Sequence, residues 1–382
     1  MTLKDRITPI IYKLILDVVR LSNTKSGNKH LLLIKTDEIG DYILFRNYLY
    51  YFKKATRYKD YKITIVGNKA WRQLYEAYDN GVADDVVWLD KKQFKQSLKY
   101  RYNFLKGIKN LRTSDVVNLI YSRSIYFDDA IAFAATGNCK TAMQGDRTNY
   151  MTEKKKNYDT RIYNTIINAG DYTVFDTVRS RNYVSTILDM PTLPVTTQLK
   201  PVNTQLTIDN RYYVLFLGAG NPERKWPLSC FLQTAEYIYD NYDITPIVCG
   251  GPDDNEDAEN FIKQFSKNAV NLAGKTSLVE LAEVLRKAVF LLCVDTGALH
   301  IAAAVGCPVV GLYSGKFYGR FGPYPKEITE NFYAVYPDFA DRMIAENDEQ
   351  LYDTAVMKND TIKMIPVAKI LPFIIEIIKK TV

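Results

Sequence analysis

The sequence predicts an α/β protein made of two separate parallel-sheet units. Three observations lead there. Short apolar, β-branched runs alternate with longer helical patterns almost from end to end, the mark of strands joined by crossover helices. The pattern restarts after residues 190–204, MPTLPVTTQLKPVNT, whose three prolines and weak periodicity read as an extended linker. Finally, 382 residues at about 150 per domain make two domains, each able to bury a core.

Taken in order, the strands of the first half are expected at 31–35 (LLLIK), 62–67 (KITIVG), 85–89 (DVVWL) and 116–120 (VVNLI), with helices between them. The polar stretch 147–175, which carries Lys154, Lys155 and Lys156, reads as a solvated excursion from that sheet. The second half gives strands at 212–218 (YYVLFLG), 245–250 (TPIVCG), 288–294 (AVFLLCV) and 308–314 (PVVGLYS). The expected division is an N-terminal domain at 1–198, a C-terminal domain at 199–360, and a final helix at 361–382, interrupted by Pro366 and Pro372, packing back on the N-terminal domain. Residues 3–20 and that final helix each pair an apolar face with lysines. Either fits an amphipathic helix covering a sheet, or one resting on an anionic membrane surface.

Composition narrows the function classes. With 47% hydrophobic and 24% charged residues the chain is an ordinary folded protein, which excludes a disordered tail or a low-complexity segment. The net charge of +7 suits anionic partners such as phosphates, acidic lipid or nucleic acid without choosing among them. Cys139, Cys230, Cys249, Cys293 and Cys307 are odd in number and lack a C-x-x-C pair, so they read as reduced thiols in a cytoplasmic protein. Two histidines, His30 and His300, are too few for a His-built zinc site. Asp5, Pro9 and Asp17 interrupt the start, which therefore lacks the apolar core of a signal peptide. No apolar run reaches the roughly 18 residues of a membrane span.

Chemistry is expected in the loops that follow strands. At 293–315, CVDTGALHIAAAVGCPVVGLYSG, a buried strand ends at Asp295 and turns through Thr296 and Gly297 into an Ala-rich helix carrying His300. Such a turn can cradle a phosphate, because glycine lets backbone approach an anion while free N–H groups and the helix dipole supply positive potential. The bland alternative makes Asp295 a helix cap and His300 a helix residue. A second loop, 217–227, contains Gly218, Ala219 and Gly220 beside Arg224 and Lys225, cations able to neutralise a diphosphate. The third glycine of a dinucleotide fingerprint would fall at Glu223, which argues against a nicotinamide dehydrogenase. A third loop from Cys249 opens an acidic helical turn. In the first half, LLLIKTDEIGD gathers Asp37, Glu38 and Asp41 around Gly40, and Asp41 can act as a general base or as a helix cap.

The ordered motifs KTDEIGD (35–41), GAGNPERKWP (218–227), GGPDD (250–254) and DTGALHIAAAVGCPVVGLYSG (295–315) resemble those of glycosyltransferase family 9, the heptosyltransferase-like enzymes, from about residue 31 to residue 325. The resemblance implies a GT-B fold, two Rossmann-like parallel-sheet domains facing a central cleft. It implies inverting, metal-independent transfer of a heptose-like sugar from a nucleoside diphosphate, ADP favoured, to a lipopolysaccharide or other envelope glycan. The family's base falls on Asp41. Its donor-binding positions fall on Gly218, Ala219, Gly220, Arg224, Lys225, Gly251, Pro252, Asp253, Thr276, Ser277, Leu278, Asp295, Thr296, Gly297 and His300, with the inward cation either Arg224 or Lys225. Its acceptor positions fall on Lys35, Glu38 and Arg123. No cofactor, metal or nucleic acid is implied, and a cytoplasmic enzyme at the inner membrane face is. The absence of any Asp-x-Asp, the usual holder of Mg²⁺ or Mn²⁺ in metal-using sugar transferases, agrees. Competing readings are a sugar-nucleotide epimerase or hydrolase of the same architecture, and a non-catalytic basic binding protein.

Overall fold

The computed structural model describes residues 3–21, 24–146, 149, 159–206, 208, 210–352 and 356–381. The chain forms two units, one of Met1–Tyr172 with Val178–Pro194, the other of Thr173–Thr177 with Val195–Val382.

In chain order the first unit contains α1 (Leu3–Leu21), β1 (His30–Lys35), α2 (Ile39–Phe45), α3 (Leu49–Lys54), β2 (Lys62–Asn68), α4 (Arg72–Tyr78), β3 (Asp85–Leu89), α5 (Lys91–Gln96) and α6 (Leu98–Asn110). β4 (Asp115–Asn118), α7 (Asp128–Ala134), β5 (Cys139–Met143) and β6 (Thr165–Ile167) follow, and α8 (Asp176–Leu188) leads toward the linker. The sheet order is β3-β2-β1-β4-β5-β6, every pairing parallel. β1 is buried along its whole length, as the uninterrupted apolar run LLLI requires of a strand covered on both faces. Leu32, Ile34, Val66 and Val116 meet Leu105 and Ile108 of α6 and Ile131 of α7 in one core. His30 belongs to the same framework: its ring nitrogens meet the Leu111 carbonyl at 3.0 Å and the Thr64 hydroxyl at 2.8 Å.

The second unit repeats the plan with β7 (Tyr212–Phe216), α9 (Leu228–Tyr242), β8 (Thr245–Cys249), α10 (Asn255–Gln264), β9 (Val270–Asn271), α11 (Leu278–Lys287) and β10 (Leu291–Val294). Beyond these come α12 (Gly297–Val305), β11 (Val309–Leu312), β12 (Phe332–Val335), α13 (Asp338–Glu346) and α14 (Val367–Lys380). The order β12-β11-β10-β7-β8-β9 is again wholly parallel. In both sheets the first strand is central. The chain runs outward to one edge, returns, and runs to the other, which is the Rossmann order.

All eight expected strands form. Four more, β5, β6, β9 and β12, lie toward or at the sheet edges, where the burial that makes a strand legible is incomplete. β6 corrects the reading of 147–175 as a solvated excursion: Thr165–Ile167 forms the last strand of the first sheet. Residues 147, 148 and 150–158 lie outside the described ones. A second correction concerns α14, expected on the N-terminal domain. Its Ile370, Ile374, Ile377 and Ile378 are buried in the second unit's own core with Leu312 and Val335. Spacing of four shows which face of a helix is apolar; it does not show which sheet the face covers.

Candidate active site

In open parallel sheets the ligand crevice opens beyond the carboxyl ends of the strands, where the strand order reverses. In the second unit that point lies between β7 and β10. The chain leaves β10 through Asp295 and enters α12. Thr296, not Asp295, caps this helix: its backbone is extended and its hydroxyl oxygen accepts the Ala298 N–H at 3.2 Å. Asp295 instead meets Arg224 from the loop after β7. Arg224 Nη1 lies 3.7 Å from Asp295 Oδ2 and donates to the Asp295 carbonyl at 3.4 Å. Burial pushes the Asp295 carboxyl above the ordinary carboxylate range, and Arg224 opposes that. The guanidinium is one third exposed and its contacts are long, so it keeps N–H donors for an anion at this turn. Lys225 takes another course, pairing at 2.5 Å with Asp257 on α10. Of the two adjacent cations, Arg224 is the one that meets Asp295.

Asp254 packs the loop after β8 against the loop after β7. Its Oδ2 accepts the Gly251 N–H at 2.8 Å, and its carboxylate fills the space over Gly218, where a Cβ would stand 2.0 Å from Oδ1. The Gly274 N–H donates to the Gly250 carbonyl at 2.9 Å. Gly218 therefore serves loop packing, whereas Gly220 opens onto free space. Ser277 caps α11, exchanging hydrogen bonds with Glu280 at 3.2 and 2.8 Å.

His300 is buried one turn inside α12, its Nδ1 2.5 Å from the Tyr324 hydroxyl. Burial holds the imidazole down to about 3 and holds the phenol well above its usual range, so both are neutral near pH 7. A buried phenol has to donate its proton, and Nδ1 is its acceptor here. With the phenol as donor, Nε2 carries the hydrogen and His300 is a neutral donor, not a cation. Phe175 packs edge-on against Tyr324 at 4.7 Å between centroids. The same short segment is held by Asp176, which pairs with Arg320 at 3.2 Å.

In the first unit the strand order reverses between β1 and β4. At the end of β1, Lys35 is buried and paired at 2.7 Å with Asp37, and the second carboxylate oxygen of Asp37 is buried with no partner among the described residues. Glu38 precedes α2, exposed, and pairs with Lys91. Asp41 sits in the first turn of α2, half-buried, its Oδ2 accepting the Glu38 N–H at 3.3 Å. After β4, Arg123 is wholly enclosed. It donates to Asp129 at 3.0 Å, Asp159 at 2.6 Å and the Met143 carbonyl at 3.1 Å.

The sequence profile of glycosyltransferase family 9 (heptosyltransferase) matches residues 131–346, more than half of the chain. The chain belongs to glycosyltransferase family 9. Among curated relatives, the lipopolysaccharide core heptosyltransferase OpsX of Haemophilus influenzae is 29% identical over 131 residues, 34% of this chain and 37% of that protein. Lipopolysaccharide heptosyltransferase 1 of Escherichia coli K12 is 31% identical over 124 residues, 32% of this chain and 38% of that one. The aligned stretch thus spans under two fifths of either relative. Solved structures extend the likeness in fold. A family 9 glycosyltransferase from Veillonella parvula gives a TM-score of 0.67 at 18% identity, covering 92% of this chain and 98% of that one. E. coli heptosyltransferase WaaC with ADP gives 0.62 at 16%, covering 91% and 99%. The architecture is the GT-B one.

The family 9 positions divide accordingly. Arg224 meets Asp295 beside Thr296 and Gly297, His300 lies one turn along α12, and Gly218 opens the loop that carries Arg224; Gly251, Pro252 and Asp253 stand on the β8 loop, Pro252 and Asp253 exposed. Ala219 and Gly220 share the loop of Arg224, and Thr276 and Leu278 flank the Ser277 cap. Of the acceptor positions, Arg123 donates to two carboxylates and a carbonyl inside the first unit, and Lys35 pairs with Asp37. Tyr324 and Asp254 went unread. Asp254 was legible as the second acid of GGPDD, one turn from its own glycines. Tyr324, one of 29 tyrosines and 24 residues from its partner, left no local signal.

Proposed function

We propose that this protein is an inverting, metal-independent glycosyltransferase that moves a heptose-like sugar from a nucleoside diphosphate to a hydroxyl of a lipopolysaccharide or other envelope glycan. The observation that carries the reading is the Arg224–Asp295–Thr296–Gly297 cluster at the second sheet's reversal point, a cationic, amide-lined turn at the start of a nine-residue helix. A departing diphosphate is what such a turn stabilises. Asp41 takes the acceptor proton as that oxygen attacks the anomeric carbon. The bond from that carbon to the diphosphate oxygen breaks, its electron pair leaves with the diphosphate, and displacement from the opposite face inverts the centre. Arg224, the α12 amides and His300 Nε2–H receive the developing charge. By analogy with oxyanion holes, one preorganised donor of this kind is worth about 3 kcal/mol at the barrier.

The ADP in the E. coli WaaC structure makes ADP-sugars the first donors to try. The unpartnered Asp37 oxygen, four residues before Asp41, offers an acceptor hydroxyl a place to donate. Nucleotide sugars are cytoplasmic metabolites, which supports a cytoplasmic site of action. A thermal-shift screen of nucleotide sugars, followed by product analysis with and without acceptor, tests the reading. Stabilisation by an ADP-sugar and a product formed only with acceptor support it. Turnover of the donor alone would mean an epimerase or hydrolase, and no stabilisation by any nucleotide sugar would leave the donor site without a ligand.

A further inference from the structure

α1 is anchored by one face and bare on the other. On the inner face Tyr12 and Val19 are buried, Tyr12 donates to the Lys95 carbonyl at 2.5 Å, and the Arg101 guanidinium lies 3.7 Å over the Tyr12 ring. Lys109 of α6 closes the helix end, donating to the carbonyls of Val19 and Arg20 at 2.7 and 2.9 Å. On the outer face Ile10, Leu14, Val18 and Leu21 are 60, 57, 52 and 80% exposed. Their spacing of four, four and three puts them in a single stripe along the helix, and Leu3 and Ile7 continue that spacing in the sequence. Four large aliphatic side chains aligned on a surface are not the scattered exposure that ordinary proteins show.

The charge beside the stripe says what covers it. Residues 91–110, which form α5 and the α6 against which α1 packs, hold seven Lys or Arg and no Asp or Glu. Lys92, Lys95, Lys99 and Lys106 of that stretch are exposed. This one stretch equals the whole net charge of the chain, +7. Two copies meeting through their stripes would bring two such basic helix pairs together, and like charges oppose that. An apolar stripe on a helix packed against a basic one matches a different partner, a bilayer whose headgroups are anionic and whose acyl boundary accepts aliphatic side chains. α14, the other candidate of the sequence, has its apolar face in the core and has none to offer.

We propose that the outer face of α1, with the lysines of α5 and α6, docks the protein on an anionic lipid surface. The surface is independent of the transferase reading, because neither α1 nor the exposed Lys92, Lys95, Lys99 and Lys106 take part in it. The test is flotation of the full chain with vesicles of phosphatidylglycerol and phosphatidylethanolamine, against vesicles of phosphatidylcholine alone, at low and high salt. Binding is expected to the anionic vesicles only and to weaken with salt. Ile10→Ser with Leu14→Ser should weaken it by roughly tenfold or more. Lys95→Glu with Lys99→Glu should weaken it by at least roughly fivefold per lysine. Nucleotide affinity, measured on the same variants, should not change and verifies that they fold. No binding to anionic vesicles, or binding unaffected by either pair, overturns the proposal. A dimer in light scattering that Leu14→Ser dissociates overturns it too, in favour of a second copy as the occupant.

Discussion

His300 shows how far a side chain's surroundings change its chemistry. Read from the sequence it is a candidate phosphate contact, and a cationic imidazole would be the natural assumption. Enclosure among Tyr324, Phe321 and the α12 backbone makes it a neutral donor instead. Because the chain has two histidines, both held below the usual range, proton NMR titration can follow each ring, and His300 should remain neutral throughout the usual His range, down to about pH 4. The folded value lies under the unfolded one, so its share of stability is complete above pH 6.5 and is lost as pH falls toward 3. Between about pH 7 and pH 5, urea unfolding of the wild type should fall relative to His300→Asn by up to about 2 kcal/mol. Tyr324→Phe frees Nδ1 to take the proton. The expected result is a donor KM raised roughly tenfold with kcat less affected, since one buried hydrogen bond is worth about 1 to 2 kcal/mol. Gly218 makes a second residue-scale test. Gly218→Ala drives a methyl into the Asp254 carboxylate and should weaken nucleotide binding; calorimetry with ADP measures the loss. None of this environment was written near either residue in the chain. The Gly-Ala-Gly turn was legible as a loop that could meet an anion, but its packing against Asp254, 36 residues on, was not.

At the scale of elements, the sequence was informative where burial was complete. β1, β7, β8, β10 and β11 are apolar through most of their length, as strands covered on both faces are, and each was read correctly; β3, half-exposed at its edge, was legible from its run of Val-Val-Trp-Leu. β5, β6, β9 and β12 carry half-exposed or polar residues, as strands toward an edge do, and their pattern merges with that of loops. The β4–α7 connection hides its pairing for a related reason: the two counter-charges of Arg123 are 6 and 36 residues away. Arg123→Met should therefore cost about 3 kcal/mol or more in urea unfolding, since it leaves Asp129 buried without its cation. An acceptor contact would instead raise KM and leave stability untouched.

At the scale of the molecule, two copies of one topology were legible as a pattern that stops, crosses a proline-rich stretch and starts again. The ligand crevices follow from that topology alone, because each sheet reverses beside its first strand. What chain order could not reveal is that Thr173–Thr177 belong with the second unit, held there by Arg320 and Tyr324. The central claim is a division of labour: a proton acceptor on the first unit, and a leaving-group site on the second. Paired titration and turnover on two variants test it most directly, with ADP as the calorimetric probe and transfer measured on the same preparations. Asp41→Asn should bind ADP as the wild type does while transfer falls at least about a hundredfold. Arg224→Ala should lose ADP affinity by about tenfold or more. Weakened ADP binding in Asp41→Asn, undiminished transfer by that variant, or full ADP affinity without Arg224 would contradict the account.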